Sequence, residues 1–220
     1  MPSALITALG LSLLLKTNHC WIAALAAFVS IISKYLFRVK GKHIFNPSAL
    51  GIVTAISLSN GAWINAGQWG SDTVLFFAIF CLGFIIVTRV QKLDLSLAFL
   101  GTYASLIFAR QILFLNWPID FFVQSISTGS LLLFSFFMIS DLRTTPNHPF
   151  ARIIWATLVA VVAFYLNVFQ FVNAAPVWVL VFAQPVVPLL DKIFKEKIFR
   201  WSEGSQISIP GSKPFSAIAN

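Results

Sequence analysis

The chemistry available to this chain is concentrated in a few polar residues set into very apolar surroundings. One stretch is GKHIFNPSALG, residues 41–51, where Lys40 and Lys42 run into Asn46-Pro47. Asparagine is a strong helix cap because its side-chain oxygen accepts from the free N–H groups of the first turn. Proline suits the first helical position, where its missing N–H has no bond to lose. A helix therefore starts at Pro47. The pair reads in two ways: plain capping, or the N-terminus of a short helix aimed at a bound anionic or polar ligand. A second stretch is FFMISDLRTTP, residues 136–146. Its helix runs apolar through Met138 and ends at Asp141, where a carboxylate opposes the helix dipole. Arg143, Lys42 or a bound ion would compensate it. Thr144, Thr145 and Pro146 then form a turn, either a solvated loop or part of a polar site shared with residues 40–48.

The remaining polar residues point to packing. Arg110 lies near a helix end and is expected to snorkel toward Asp120 or lipid headgroups. Gln124, Asn167 and Gln184 suit hydrogen bonds between helices. No Asp or Glu falls at mid-depth of an apolar run, which argues against a proton relay. His19, His43 and His148 lack ligand spacing. Cys20 and Cys81 cannot build a four-thiolate cluster or a disulfide framework. They read as small apolar residues, with a metal centre shared with a partner subunit as the alternative. No nucleophile elbow, phosphate loop or metal motif occurs, so no catalytic residue and no metal ligand is assigned.

The elements that must position these residues are membrane helices. Of the 220 residues, 58% are hydrophobic and only 10% charged, against about 25% charged in soluble domains. Apolar segments fall at roughly 3–15, 20–37, 47–58, 73–88, 95–113, 121–140, 152–171 and 176–190, while a full crossing needs about 20 residues. The first and third fall short and read as half-helices, tilted pieces, or spans whose ends sit inside the bundle. The N-terminal MPSALITALGLSLLLK has no charged leader region and reads as a first membrane helix rather than a cleaved signal. If all eight segments cross, Lys34, Arg38, Lys40, Lys42, Arg89, Lys92, Arg143, Arg152, Lys192, Lys195, Lys197, Arg200 and Lys213 share one face, 13 of the 15 basic residues. Shifting the count by one crossing destroys this asymmetry, so both termini are expected in the cytoplasm. The net charge of +8 is thus a topology signal and not a nucleic-acid surface. Trp21, Trp63, Trp69, Trp117 and Trp178 fall at outer helix ends, and Trp155 and Trp201 at inner ones. The fold class is all-α: a polytopic transmembrane bundle of about eight segments, some short or broken, with an inverted repeat of two related halves expected. Residues 1–194 form the membrane domain and 195–220 a cytoplasmic tail.

Three stretches, KGKHIFNPSALG (40–51), FFMISDLRTTP (136–146) and FAQPVVPLLDKIF (182–194), resemble the NqrB/RnfD family in order and spacing. The resemblance covers most of residues 5–195. The segment AWINAGQWG (62–70) looks like a short, stand-alone bacterial branch. The family contains membrane subunits of the sodium-pumping NADH:quinone oxidoreductase and of the ferredoxin:NAD complex. The resemblance implies a multi-pass protein of the bacterial cytoplasmic membrane, with other membrane or redox subunits as partners. It also implies electron transport coupled to ion transport. Family core subunits carry FMN on a Thr of a Ser-Gly-Ala-Thr motif, together with a non-covalent riboflavin. That motif is absent here. Its nearest string, Ser127-Thr128-Gly129-Ser130, lies inside an expected helix in the wrong order, so no covalent FMN is expected. The core subunits are also longer, with about ten crossings.

What carries over is Lys42, Asn46 and Pro47 with Asp141, Thr144 and Thr145, as the flank of a non-covalent flavin, riboflavin or FMN, or of the ion path. Asn46 can bond an isoalloxazine edge, since its amide offers donor and acceptor. Asp191 matches a family position at the last helix end and reads as structural. Two other readings stay open: a small-solute transporter or channel, and a non-redox assembly subunit.

Overall fold

The computed structural model describes residues 2–39, 42–64, 80–85, 88, 93–141 and 144–194. Helix α1 (Pro2–Leu14) leads through strand β1 (Leu15–Thr17) into α2 (Cys20–Leu36). A tight hairpin of β2 (Arg38–Val39) and β3 (Lys42–His43) then turns the chain into α3 (Pro47–Leu58) and strand β4 (Ala62–Ile64). Residues 80–85 are helical. Helix α4 (Leu93–Phe108) is prolonged by π-type turns over Ala109–Phe114. Helix α5 (Ile119–Ile126) is followed by α6 (Gly129–Leu133), prolonged by π-type turns over Phe134–Met138. Then come α7 (Pro149–Phe169), α8 (Ala175–Ala183), a 3-10 turn (Gln184–Val186) and α9 (Val187–Ile193). The expected all-α membrane bundle is what forms, with two very short strand pairs added at its ends.

Seven of the eight apolar segments correspond to these helices. The fourth, 73–88, falls mostly outside the described residues, as do Trp69, Arg89, Lys92, Arg143 and the tail 195–220. Leu93–Phe114, Pro149–Phe169 and Ala175–Ile193 are each long and apolar enough to cross a membrane. Ile119–Ile126 and Gly129–Met138, bent by 46° at their junction, are together long and apolar enough for a fourth crossing if they form one span. The uninterrupted helix expected over 121–140 is therefore broken. Ser127 and Thr128 stand between the two halves, and Thr128 takes an extended conformation as the cap of the second. Its hydroxyl donates to the Ser125 carbonyl. A short side chain that bonds local backbone competes with the helical ladder, which explains the break.

The helices define two faces. At one lie the β2–β3 hairpin and the starts of α4 and α7, where Arg152 Nε stands 3.1 Å from Asp94 Oδ2. At the other lie β1, paired antiparallel with β4, and Arg110, whose guanidinium sits 4.7 Å from the Phe169 ring centre. Arg110 is thus held over an aromatic face, a cation–π contact.

Close packing relies on small residues, as it must where lipid leaves no hydrophobic drive between helices. Gly51 of α3 lies against Ala26 and Ser30 of α2, and a Cβ there would stand 2.0 Å from Ser30 Oγ and 2.5 Å from the Ala26 carbonyl oxygen. α4 and α7 share a long seam of Leu95, Phe99, Tyr103, Ala156, Val159, Ala160 and Ala163, all buried. Asn167 closes it by donating from Nδ2 to the Tyr103 hydroxyl at 2.8 Å, as its type suggested. Tyr103→Phe should cost about 1 kcal/mol, the scale of hydrogen bonds between membrane helices. Unfolding by SDS in mixed micelles would measure it, and a loss above about 3 kcal/mol would mean the hydroxyl has further partners.

Candidate functional site

Asn46 is the centre of a buried polar cluster. Its Oδ1 accepts from the backbone N–H of Ser48 at 3.1 Å and of Ala49 at 3.3 Å. Pro47 occupies the first helical position, buried and without an N–H to satisfy. Leu50 N–H bonds the Asn46 carbonyl at 3.0 Å. The capping half of the sequence reading is therefore complete in itself. Two further bonds reach across the fold. Asn46 Nδ2 donates to the Met138 carbonyl at 3.1 Å, joining the start of α3 to the end of the α6 arm. The Asn46 N–H donates to Gln184 Oε1 at 2.8 Å. The 40–48 turn and the 136–146 stretch do meet, and Met138, three residues before Asp141, is the point of contact.

Asp141 closes that arm. Its carbonyl accepts from the Thr145 hydroxyl at 3.0 Å and from the Thr144 N–H at 3.4 Å. Both threonines are buried. The Asp141 charge acts on Lys34, a buried lysine in the last turn of α2. Sequence reasoning named Lys42, Arg143 or an ion as its compensator and missed Lys34. The side chain of Lys42 and all of Arg143 lie outside the described residues. The Lys42 backbone pairs with Val39 in the hairpin. Arg38 caps α2 by donating from Nε to the Lys34 carbonyl at 2.6 Å. Phe37 and Phe45 lock the hairpin edge to face, ring centres 5.4 Å apart.

Gln184 is the second residue that sequence reasoning undervalued. It is fully buried, midway along the Ala175–Ile193 run. The signal was present in Gln184-Pro185-Val186-Val187-Pro188. Prolines inside a membrane helix break its ladder and free carbonyls for other partners. Here the turn tightens so that Val187 N–H bonds the Gln184 carbonyl. The Ala183 carbonyl then receives the indole N–H of Trp155 at 3.2 Å. Trp155 is accordingly buried inside the bundle. At the far end of α9, Asp191 accepts from the Asn147 N–H at 2.8 Å, in keeping with a structural role.

α3 has 12 residues, about 18 Å at 1.5 Å per residue, and is shorter than a hydrocarbon core of about 30 Å. Its C-terminal end leads to the β1–β4 pair, and its start bonds both Gln184, at the middle of Ala175–Ile193, and Met138, at the end of the α6 arm. An apolar cavity of about 450 Å³ lies between α7 and α8, lined by residues that include Trp155, Leu158, Trp178 and Phe182. The polar cluster backs onto it only through Trp155 and Ala183.

Among the described residues, two buried polar groups of this cluster have no hydrogen-bond partner: Gln184 Nε2 and the Thr144 hydroxyl. No group of three or more His, Cys, Asp or Glu residues that would hold a metal ion occurs among the described residues.

The decisive comparison is with family models, where that of the NQR2, RnfD, RnfE family matches residues 54–200. The chain belongs to this family. Its members are membrane subunits of ion-translocating electron-transport complexes. No curated protein matches the chain. The matched region takes in Met138, Asp141, Thr144, Thr145 and Gln184, while Asn46 and Pro47 precede it. As an NQR2/RnfD/RnfE-family protein the chain is a multi-pass membrane protein, in accord with its long apolar helices.

Proposed function

We propose that this NQR2/RnfD/RnfE-family protein is a subunit of a membrane redox complex that couples electron transfer to ion passage. In this reading the cluster around Asn46 flanks a non-covalent flavin, riboflavin or FMN. The observation that carries it is a buried polar cluster in which two groups, Gln184 Nε2 and the Thr144 hydroxyl, have hydrogen-bonding capacity unspent. Native interiors rarely leave such groups unmatched. The donor set fits a flavin, whose ring edge alternates carbonyl oxygens with ring nitrogens. A bound flavin supplies one- and two-electron transfer, while the protein supplies orientation and electrostatics. Gln184 and Thr144 would hold the ring edge. Asn46 would keep the two arms of the site together, its own amide being spent on α3 and Met138. Lys34 and Asp141 would set the charge at the rim, and Lys42 would flank it from the hairpin. The protein sits in the bacterial cytoplasmic membrane, with the hairpin face in the cytoplasm and other redox subunits beside it.

The first experiment is purification in mild detergent, followed by flavin absorbance and fluorescence before and after acid precipitation. Yellow colour released to the supernatant is expected, and colour kept in the pellet would mean covalent attachment. A colourless protein would remove the flavin.

A second reading is favoured by the half-length α3 and the bend of 46° at Ser127-Thr128. Broken helices near mid-depth are a feature of solute transporters. Uptake of a small solute into vesicles by flavin-free protein would establish that reading.

A further inference from the structure

We infer that Gln184 is a ligand-binding residue and that it takes a ligand through an acceptor oxygen, a carbonyl or an anionic oxygen. The inference rests on the reading of this cluster as a ligand site and adds the ligand's chemistry. It begins with the orientation of one amide. The Asn46 N–H needs an acceptor, and Gln184 supplies it at 2.8 Å. That contact fixes which end of the amide is oxygen, because the opposite orientation would set two N–H donors against each other. The NH2 end must then point away from Asn46, in a side chain with no solvent exposure. It has no partner among the described residues.

The oxygens of the cluster are committed in the opposite sense. Asn46 Oδ1 serves Ser48 and Ala49, the Met138 carbonyl serves Asn46 Nδ2, and the Asp141 carbonyl serves Thr144 and Thr145. Gln184 Oε1 serves Asn46. What remains unspent among the amide and hydroxyl groups of the cluster is the Gln184 Nε2 donor and the Thr144 hydroxyl. The start of α3 adds a partial positive charge, since its dipole survives capping. Donors and a positive helix end together select an acceptor.

The test is riboflavin binding to full-length protein in detergent after flavin depletion, read by quenching of riboflavin fluorescence. Gln184→Met removes the free donor at nearly the same side-chain volume. It should weaken riboflavin at least about tenfold, the scale of a lost buried hydrogen bond. A readout on unaltered protein covers the case in which the variant does not fold. Riboflavin analogues with sulfur in place of the C2 or the C4 oxygen accept hydrogen bonds poorly, and one of the two should bind several-fold more weakly than riboflavin. Equal binding of all three flavins, or Gln184→Met within about twofold of wild type, would overturn the inference while leaving the flavin reading intact. A rise in Tm specific to sodium over choline, abolished by Thr144→Val, would overturn it in favour of a cation seat. Wild-type protein that binds no riboflavin would remove the flavin reading itself, and this inference with it.

Discussion

Gly51→Ala should unseat α3 from α2 and give the largest stability loss of any single-methyl addition considered for this protein. The new Cβ meets two atoms, Ser30 Oγ at 2.0 Å and the Ala26 carbonyl oxygen at 2.5 Å. Ser30 can rotate away, but only by giving up its bond to that same carbonyl at 2.7 Å. Ala26 cannot rotate at all, because the clash is with backbone. The helices must separate, and overpacking of this kind costs about 1–3 kcal/mol or more. Because α3 carries Asn46 at its start, the shift should also loosen the polar cluster. Gly101→Ala is the control: a Cβ there meets nothing within 4 Å, so it should be neutral or stabilising by up to about 1 kcal/mol through helix propensity. SDS unfolding of both variants decides the matter. Equal midpoints would show that α2 and α3 do not meet as described.

The second large effect is expected at Asn46. Asn46→Ala removes the cap for two N–H groups and the partner of the Met138 carbonyl, all of them buried. Loss of an N-cap alone costs about 0.5–2 kcal/mol. A buried carbonyl left without a donor adds about 1–3 kcal/mol. A total near 3 kcal/mol is expected, with flavin lost from any protein that still folds. Asn46→Ser separates the two contributions, since serine caps α3 but cannot reach Met138. It should recover roughly half the stability without restoring the tie between the arms. Flavin retained unchanged in Asn46→Ala would place the flavin elsewhere in the protein.

The stretches that sequence alone made legible are those whose cause is local. The start of α3 was readable because a cap and its N–H groups lie within three residues of one another. The apolar runs were readable because lipid demands satisfied backbone groups over a fixed length. The meeting of the 40–48 turn with the 136–146 stretch was legible too, through the even number of crossings that puts both on one face.

Tertiary structure decided the rest. Asn46 and Gln184 are 138 residues apart, and nothing local to either names the other. Gln184 could be read only as a polar group in search of some partner, because its neighbours in sequence are apolar or proline. The prolines announced freed carbonyls, but that Trp155 would fill one of them depended on how α7 packs on α8. Lys34 looked like an ordinary basic residue at a helix end until the fold set it within the field of Asp141. The sequence by itself determined a multi-pass helical membrane protein, its capped half-helix and its family likeness. The cross-fold partners of Asn46, the spare amide of Gln184 and the pairing of Arg152 with Asp94 arose only from packing, since contacts between helices depend on distances that local residue order does not encode.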